Sequence, residues 1–328
     1  MKECLIIGVD ISKSTLDIFA KPAGIEMKIT NNLQGFKKWF NIFKKQFSDQ
    51  KEVLVIMEHT GRYSYLFELF LRSKKIGYCK IAALQIKRSL GMIRGKNDKV
   101  DAERIASYGW LRRDILTADE YPVETIIELR SILSLRLKFV RDRSGYITRL
   151  KEIRAAGADI YNYEIRMQQQ AIDFFTSNIN MLNKKIQVLI ASDSDLRNTC
   201  ELLRSIKGIG WIIAANMISC TDNFKRFGNA RKFNCYAGIA PFRHESGSSI
   251  KGKARVSHLA NKEMKTLLNL AASSAIQHDK EMRTYYQRRI SEGKHKMNCL
   301  NIIRAKLVAR MFAVVKRQTP YQEFTQAA

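Results

Sequence analysis

Two carboxylates stand three residues apart in Lys96-Asn97-Asp98-Lys99-Val100-Asp101-Ala102-Glu103. They precede the apolar positions of a predicted helix, so Asp98 and Asp101 share one face with Cβ atoms about 5–6 Å apart. Neighbouring carboxylates repel, and a hard divalent cation such as Mg²⁺ takes their oxygens and relieves the repulsion. The plain alternative is a solvated first turn, where acids favourably oppose the helix dipole. Two further acids end apolar runs: Asp10 closes Leu5-Ile6-Ile7-Gly8-Val9, and Glu58 closes Val53-Leu54-Val55-Ile56-Met57. If those runs are neighbouring strands, the four acids can hold two Mg²⁺ about 3.5–4 Å apart, an arrangement suited to phosphodiester chemistry.

A second constellation runs from Ala237 to Arg255. A small-residue approach and Pro241 lead to Ser246, Ser248 and Ser249 among glycines and cations. A serine used as a nucleophile must be activated by a base or a metal. Arg243, Lys251, Lys253 and Arg255 would neutralise the developing charge. A polar turn whose hydroxyls only hydrogen-bond phosphate is the alternative. Farther upstream, Leu202 to Gly210 followed by Trp211 to Met217 resembles a helix-hairpin-helix element. Gly208 and Gly210 permit a tight turn, and the amides opening the second helix can hold a backbone phosphate. A packing turn is the competing reading. Near the end, Arg283, Arg288 and Arg289 flank Tyr285 and Tyr286, aromatics that could stack on bases; a solvated helix face is the alternative.

The elements that must position these residues follow from hydrophobic periodicity. Strands are predicted at Leu5 to Asp10, Leu16 to Ala20 and, after the Pro22-Ala23-Gly24 turn, Ile25 to Thr30. Phe36, Trp39, Phe40 and Phe43 mark an amphipathic helix. Val53 to Met57 reads as a central strand buried on both faces. A helix carrying Leu66, Leu69, Phe70 and Leu71 follows, then a strand from Tyr78 to Ala83 and a basic segment with Lys87, Arg88, Arg94 and Lys96. Three strands in hairpin order followed by helix–strand alternation is the order of a ribonuclease H-like sheet. Sugar kinases and actin-like ATPases share a related opening. They also require a second glycine-rich phosphate loop and an adenosine loop, and the sequence shows neither. Ile172, Phe175, Ile179, Leu182, Ile186 and Leu189 are spaced 3, 4, 3, 4, 3, which predicts a helical hairpin or a dimerising coiled coil. A helix packing within its own domain fits the spacing equally. The expected organisation is an α/β domain over residues 1–121, a helical coiled-coil segment over 122–200, and a mostly α-helical domain over 201–328.

Charge bounds the partners. Of 328 residues, 57 are Lys or Arg and 31 are Asp or Glu, a net charge of +26 that favours a polyanion, with nucleic acid the first choice. Residues 251–328 hold sixteen of those cations against five acids. No run of about 18 apolar residues occurs and no signal-peptide order opens the chain, so the expectation is no membrane and a cytoplasmic location. Six scattered cysteines without a C-x-x-C pair, and five histidines without zinc-finger spacing, argue against structural zinc and a disulfide framework.

Taken together, Gly8-Val9-Asp10, Glu58-x-Thr60-Gly61-x-Tyr63, Asn97-Asp98-x-Val100-Asp101-Ala102, Ile206-x-Gly208-Ile209-Gly210, Ala237-Gly238 with Pro241, and Glu245-Ser246-Gly247-Ser248-Ser249 resemble the DEDD-type insertion-sequence transposases. These are the one-ten insertion-sequence family of bridge-RNA-guided DNA recombinases, and the resemblance spans nearly the whole chain. It implies a RuvC-like domain whose Asp10, Glu58, Asp98 and Asp101 bind Mg²⁺, two ions per site. It implies a C-terminal transposase domain in which Ser246 forms a covalent phosphoserine link to DNA and frees a 3′ hydroxyl, with strand exchange following. It also implies donor and target DNA, a structured non-coding guide RNA, and a tetramer as partners, inside a prokaryotic cell. His59 departs from the family pattern, in which a small residue often follows the glutamate. Two other functions remain open: a RuvC-like junction-resolving endonuclease that uses water as nucleophile, and a non-catalytic nucleic-acid scaffold.

Overall fold

The computed structural model describes residues 4–46, 52–89, 98–157, 162–246 and 250–322, and does not describe the side chains at 46, 98–99 and 243–253. The chain divides into two compact units, Met1–Tyr121 and Pro122–Ala328.

The first unit is mixed α/β. Its strands β1 (Cys4–Ile11), β2 (Thr15–Lys21) and β3 (Ile25–Thr30) are followed by helix α1 (Leu33–Gln46) and strand β4 (Glu52–Glu58). A single 3₁₀ turn (Gly61–Ser64) then leads into α2 (Tyr65–Ser73), β5 (Gly77–Ile81), α3 (Ala83–Ser89) and α4 (Asp98–Leu111). The sheet order is β3-β2-β1-β4-β5. The first three strands pair antiparallel, and β1, β4 and β5 run parallel. Strand alternation sends side chains to two cores. Leu5, Ile7, Val9, Val55, Met57 and Tyr78 pack with Phe36, Trp39, Phe67 and Phe70 of α1 and α2. Ile6, Leu54, Ile56, Cys79 and Ile81 pack with Ile86 of α3 and with Ile105 and Tyr108 of α4. The outer flank of β5 is closed by its own chain: Asp119 donates its amide to the Tyr78 carbonyl (2.7 Å) and accepts from the Lys80 amide (2.7 Å).

Three sequence expectations shift here. The last strand stops at Ile81, and the basic segment expected after it begins as a helix, as suits Ala-Leu-Gln in the absence of Gly or Pro. On α2 it is Phe67, with Phe70 and Leu71, that faces the core, whereas Leu66 is exposed. Phe67 lies three and four positions before Phe70 and Leu71, so these three share one helix face and Leu66 falls beside it.

The second unit is mostly helical. Two long helices, α5 (Glu124–Ala156) and α6 (Asn162–Ala191), pair as a hairpin and lead to α7 (Ser194–Arg204), α8 (Trp211–Thr221) and α9 (Ala230–Tyr236). A two-stranded antiparallel ribbon, β6 (Pro241–Ser246) and β7 (Ile250–Val256), precedes α10 (Lys262–His278), α11 (Lys280–Ser291) and α12 (Lys296–Arg317). The spaced residues on α6 face α5: Phe175 meets Phe139 edge-on at 5.5 Å, and Asn183 and Thr176 accept from Arg136 and Arg143. The base of this hairpin shares one apolar core with the later helices, since Leu129, Leu133 and Ile186 cluster with Leu203, Ile218 and Leu307. Among the described residues, no helix is long and apolar enough to cross a membrane.

Candidate active site

The α4 face of the sheet carries a row of charge. Side chains alternate along β1 and β4, and the positions of Ile6 and Ile56 on that face continue to Asp10 and Glu58. The register Gly8 to Ile56 and Val9 to Met57 brings Asp10 level with Glu58 on adjoining parallel strands, at their carboxyl ends. Open α/β sheets place their ligands at such ends. On the other side of Asp10, directly opposite it in the antiparallel pair, lies Asp17, and opposite Asp17 lies Lys28. Across four strands the row therefore reads Lys28, Asp17, Asp10, Glu58.

Helix α4 closes over this face. A Cβ placed on Gly8 would lie 2.3 Å from the Ala106 nitrogen and 2.4 Å from the Ala102 oxygen, so the strand and helix backbones touch there. That approach sets the first turns of α4 above the acids. Asp101, one residue before Ala102, lies near enough to act electrostatically on Glu58. The Glu58 carboxyl is pushed above the ordinary carboxylate range by burial first, then by Asp10 and by Asp101. Asp98 opens α4, and its side chain lies outside the described residues.

Two neighbours absent from the sequence expectation modify this cluster. Arg104 donates to the Asp101 carboxylate at 2.7 Å, one helical turn on. Asp17 is buried and neutralised by Lys28 at 3.1 Å. The spacing of Arg104 from Asp101 was readable from sequence, whereas Asp17 becomes visible only through the hairpin register. His59 follows Glu58 in exposed surroundings and donates its backbone amide to the Ile81 carbonyl at 3.3 Å. Among the described residues, no three His, Cys, Asp or Glu side chains gather closely enough to hold a metal ion. The donor set around Glu58 consists of carboxylate oxygens, with Asp10 and Asp101 both raising the proton affinity of Glu58, and clustered carboxylate oxygens are the donors a hard divalent cation takes.

In the second unit, the segment expected as a loop is a β-ribbon. Ser246 ends β6 opposite Ile250, Glu245 pairs with Lys251, and the register shifts between Phe242 and His244, around Arg243. Lys251, Lys253 and Arg255 recur at every second position of β7. Residues 247–249, including Ser248 and Ser249, lie outside the described residues, as do the side chains of Arg243, Ser246, Lys251 and Lys253; Arg255 is exposed. The ribbon springs from a held base: Asn301 of α12 donates to the Ile239 carbonyl at 2.8 Å.

Helices α7 and α8 flank the glycine turn. Gly208 has φ +93° and a Cβ there would meet the Ala271 carbonyl oxygen at 2.8 Å, so packing against α10 requires a glycine. Gly210 faces open space and forms the N-cap of α8 without a side-chain acceptor. Tyr285 of α11, expected as a stacking platform, is half-buried and occupied by cations of its own chain, Lys306 lying 4.4 Å from the ring centroid.

Residues 7–153 match a family model described as a transposase, and residues 200–287 match one described as the transposase IS116/IS110/IS902 family. The first match contains Asp10, Glu58, Asp98 and Asp101, and the second contains Gly208, Gly210 and Ser246. Pilin gene-inverting proteins of Moraxella bovis and Moraxella lacunata are 26% and 25% identical to the chain, each over 97% of both lengths. The insertion element IS110 uncharacterized 43.6 kDa protein of Streptomyces coelicolor is 29% identical over 37% of the chain and 30% of its own length.

Proposed function

The chain belongs to the IS116/IS110/IS902 family of transposases, and we propose that it recombines DNA through a serine nucleophile aided by a carboxylate-bound divalent metal. In this reading residues 1–121 form a RuvC-like domain, 122–200 a helical segment, and 201–328 a transposase domain. The observation that carries the proposal is the gathering of Asp10 and Asp101 about a part-buried Glu58, whose carboxyl is pushed upward by burial and by these two acids, on one face of a five-stranded sheet of order β3-β2-β1-β4-β5.

Asp10, Glu58, Asp98 and Asp101 would hold Mg²⁺, two ions per site. Bound there, Mg²⁺ supplies charge neutralisation for the phosphodiester and lowers the pKa of an attacking oxygen. The chain's own contributions are distinct. The row of acids is fixed by the β1–β4 register. Arg104 holds Asp101 through a side-chain ion pair until a stronger cation competes for it. The Ser246 oxygen attacks the backbone phosphorus and loses its proton; the P–O3′ bond breaks, and the departing 3′ oxygen takes a proton to become a free hydroxyl. Arg243, Lys251, Lys253 and Arg255 would stabilise the charge on the phosphoryl oxygens. Gly210 would offer the α8 amides to a backbone phosphate, and Gly208 shapes the turn that presents them.

Donor and target DNA are the substrates in this proposal, and a structured guide RNA supplies the sequence choice by base pairing. The +26 charge supports a polyanionic partner. The assembly in this reading is a tetramer; Met167, Phe174, Met181 and Val188 recur every seven residues on α6 and are all exposed, a stripe that suits helix-to-helix contact between copies.

The test is denaturing electrophoresis after incubation of the protein with Mg²⁺, guide RNA and element-end DNA. A protein–DNA adduct is expected, absent with Ser246→Ala and absent with Asp98→Ala. Cleavage that persists undiminished in Ser246→Ala would replace serine by water. Products unaffected by either change would remove the catalytic reading altogether.

A further inference from the structure

Tyr285 gathers cations from two helices. Arg288 and Arg289 follow it on α11, with their guanidinium carbons 5.3 Å and 5.8 Å from the ring centroid, and Lys306 reaches it from α12 at 4.4 Å. Three like charges converging on one ring repel one another, and the negative face of the ring offsets part of that repulsion. Glu292 is the acid that shares the cluster, at 2.6 Å from Arg289 and 3.7 Å from Arg288. Among the described residues, no carboxylate pairs with Lys306. The cluster therefore keeps a surplus of positive charge at one fixed point of the surface, with Arg288 exposed and Arg289, Lys306 and the ring half-buried.

A ring engaged in this way is a poor platform for a nucleobase, because cations already lie over it and it packs, partly buried, against the apolar core of the second unit. We propose that Tyr285 organises Arg288, Arg289 and Lys306 into a site for the phosphate backbone of a nucleic-acid duplex. The ring contributes by fixing the cations and does not stack on bases. This rests on the proposed function above only in taking nucleic acid as the partner. Pre-gathered cations lose less side-chain freedom when a phosphate arrives than three independent long side chains would. Charge alone would not distinguish this patch on so basic a chain; its dependence on an uncharged residue does.

The experiment measures full-length protein binding to a labelled B-form DNA duplex, an A-form RNA duplex and a single strand, across a salt series. Tyr285→Leu keeps every charge and is expected to weaken duplex binding roughly fivefold, the size of an exposed cation–π contribution. Tyr285→Phe keeps the ring and is expected to bind as the wild type does. Lys306→Gln is expected to lower the slope of log affinity against log salt by about 0.9 on the DNA duplex, the share of a single neutralised phosphate. The duplex with the larger loss identifies the source of the phosphates. Tyr285→Leu matching the wild type on both duplexes overturns the inference and leaves the recombinase proposal standing. A loss confined to the single strand overturns it in favour of base stacking. Should Tyr285→Leu fail to fold, an unchanged salt slope in Lys306→Gln overturns it. The recombinase proposal fails separately, by the absence of an adduct in wild-type protein.

Discussion

Glu58 is where burial and charge meet most sharply. Its carboxyl is held above the ordinary glutamate range by desolvation, then by Asp10 and Asp101. The proton is thus bound more tightly in the folded chain than in the unfolded one, so this group's stabilising contribution is complete below the unfolded value. It is lost as pH rises through the raised folded value. Glu58→Gln cannot ionise and escapes that loss. In urea titrations without divalent cation, the variant is expected to match the wild type near pH 4 and to exceed it in midpoint at pH 8. Adding Mg²⁺ should then raise the wild-type midpoint by more than the variant's, which keeps three of the four proposed carboxylate ligands. A variant less stable than the wild type at pH 8 would mean that Glu58 is paired with a cation, contrary to the repulsive cluster. The same substitution should reduce DNA cleavage by more than the about 10–100-fold that loss of a residue merely orienting a metal ligand costs.

At the scale of elements, the site depends on how closely α4 lies on β1. Gly8 lets the helix backbone touch the strand at Ala102 and Ala106, and a methyl group there has no room. Gly8→Ala is expected to cost about 1–3 kcal/mol of stability through overpacking. It should also separate Asp101 from Asp10 and Glu58, so that cleavage falls at temperatures where the variant remains folded by circular dichroism. Full activity in a folded Gly8→Ala protein would show that the site tolerates a displaced helix. Much of this architecture was legible in the sequence. The strands that carry Asp10 and Glu58 near their ends, the third strand at Ile25 to Thr30 and the apolar seam on α6 follow from apolar spacing, whereas spacing alone left open whether that seam faces a hairpin partner, a second copy or its own domain. Asp17 was not legible: between Leu16 and Ile18 it looks like a solvent-facing position, and only its register opposite Asp10 reveals that α4 covers it. The β-ribbon escaped for a different reason, since Gly, Ser and Lys carry weak strand preference. What aligns them is pairing across the ribbon, which local periodicity does not report. Tyr285 shows a third limit, because Lys306 meets it from another helix twenty-one positions away.

The whole molecule is governed by its charge. Fifty-seven cations against thirty-one acids predict binding to nucleic acid that is steep in salt. For six to ten neutralised phosphates, affinity should fall roughly 10³–10⁵-fold between 50 and 200 mM salt. Fluorescence anisotropy across that range checks it, and a nearly flat response would mean that the charge serves something other than phosphate. The sheet of the first unit bears on what happens once a polyanion concentrates such chains along itself. Crowded copies of a parallel-stranded domain risk zipping together through bare strand flanks. Here the β5 flank is already occupied by Asp119 of the same chain, and the β3 flank exposes Glu26 and Lys28 at alternate positions. Among the described residues, one flank of the sheet is thus covered by its own chain and the other bears charge at alternate positions. High local density along a nucleic acid can therefore be borne without nucleating fibres.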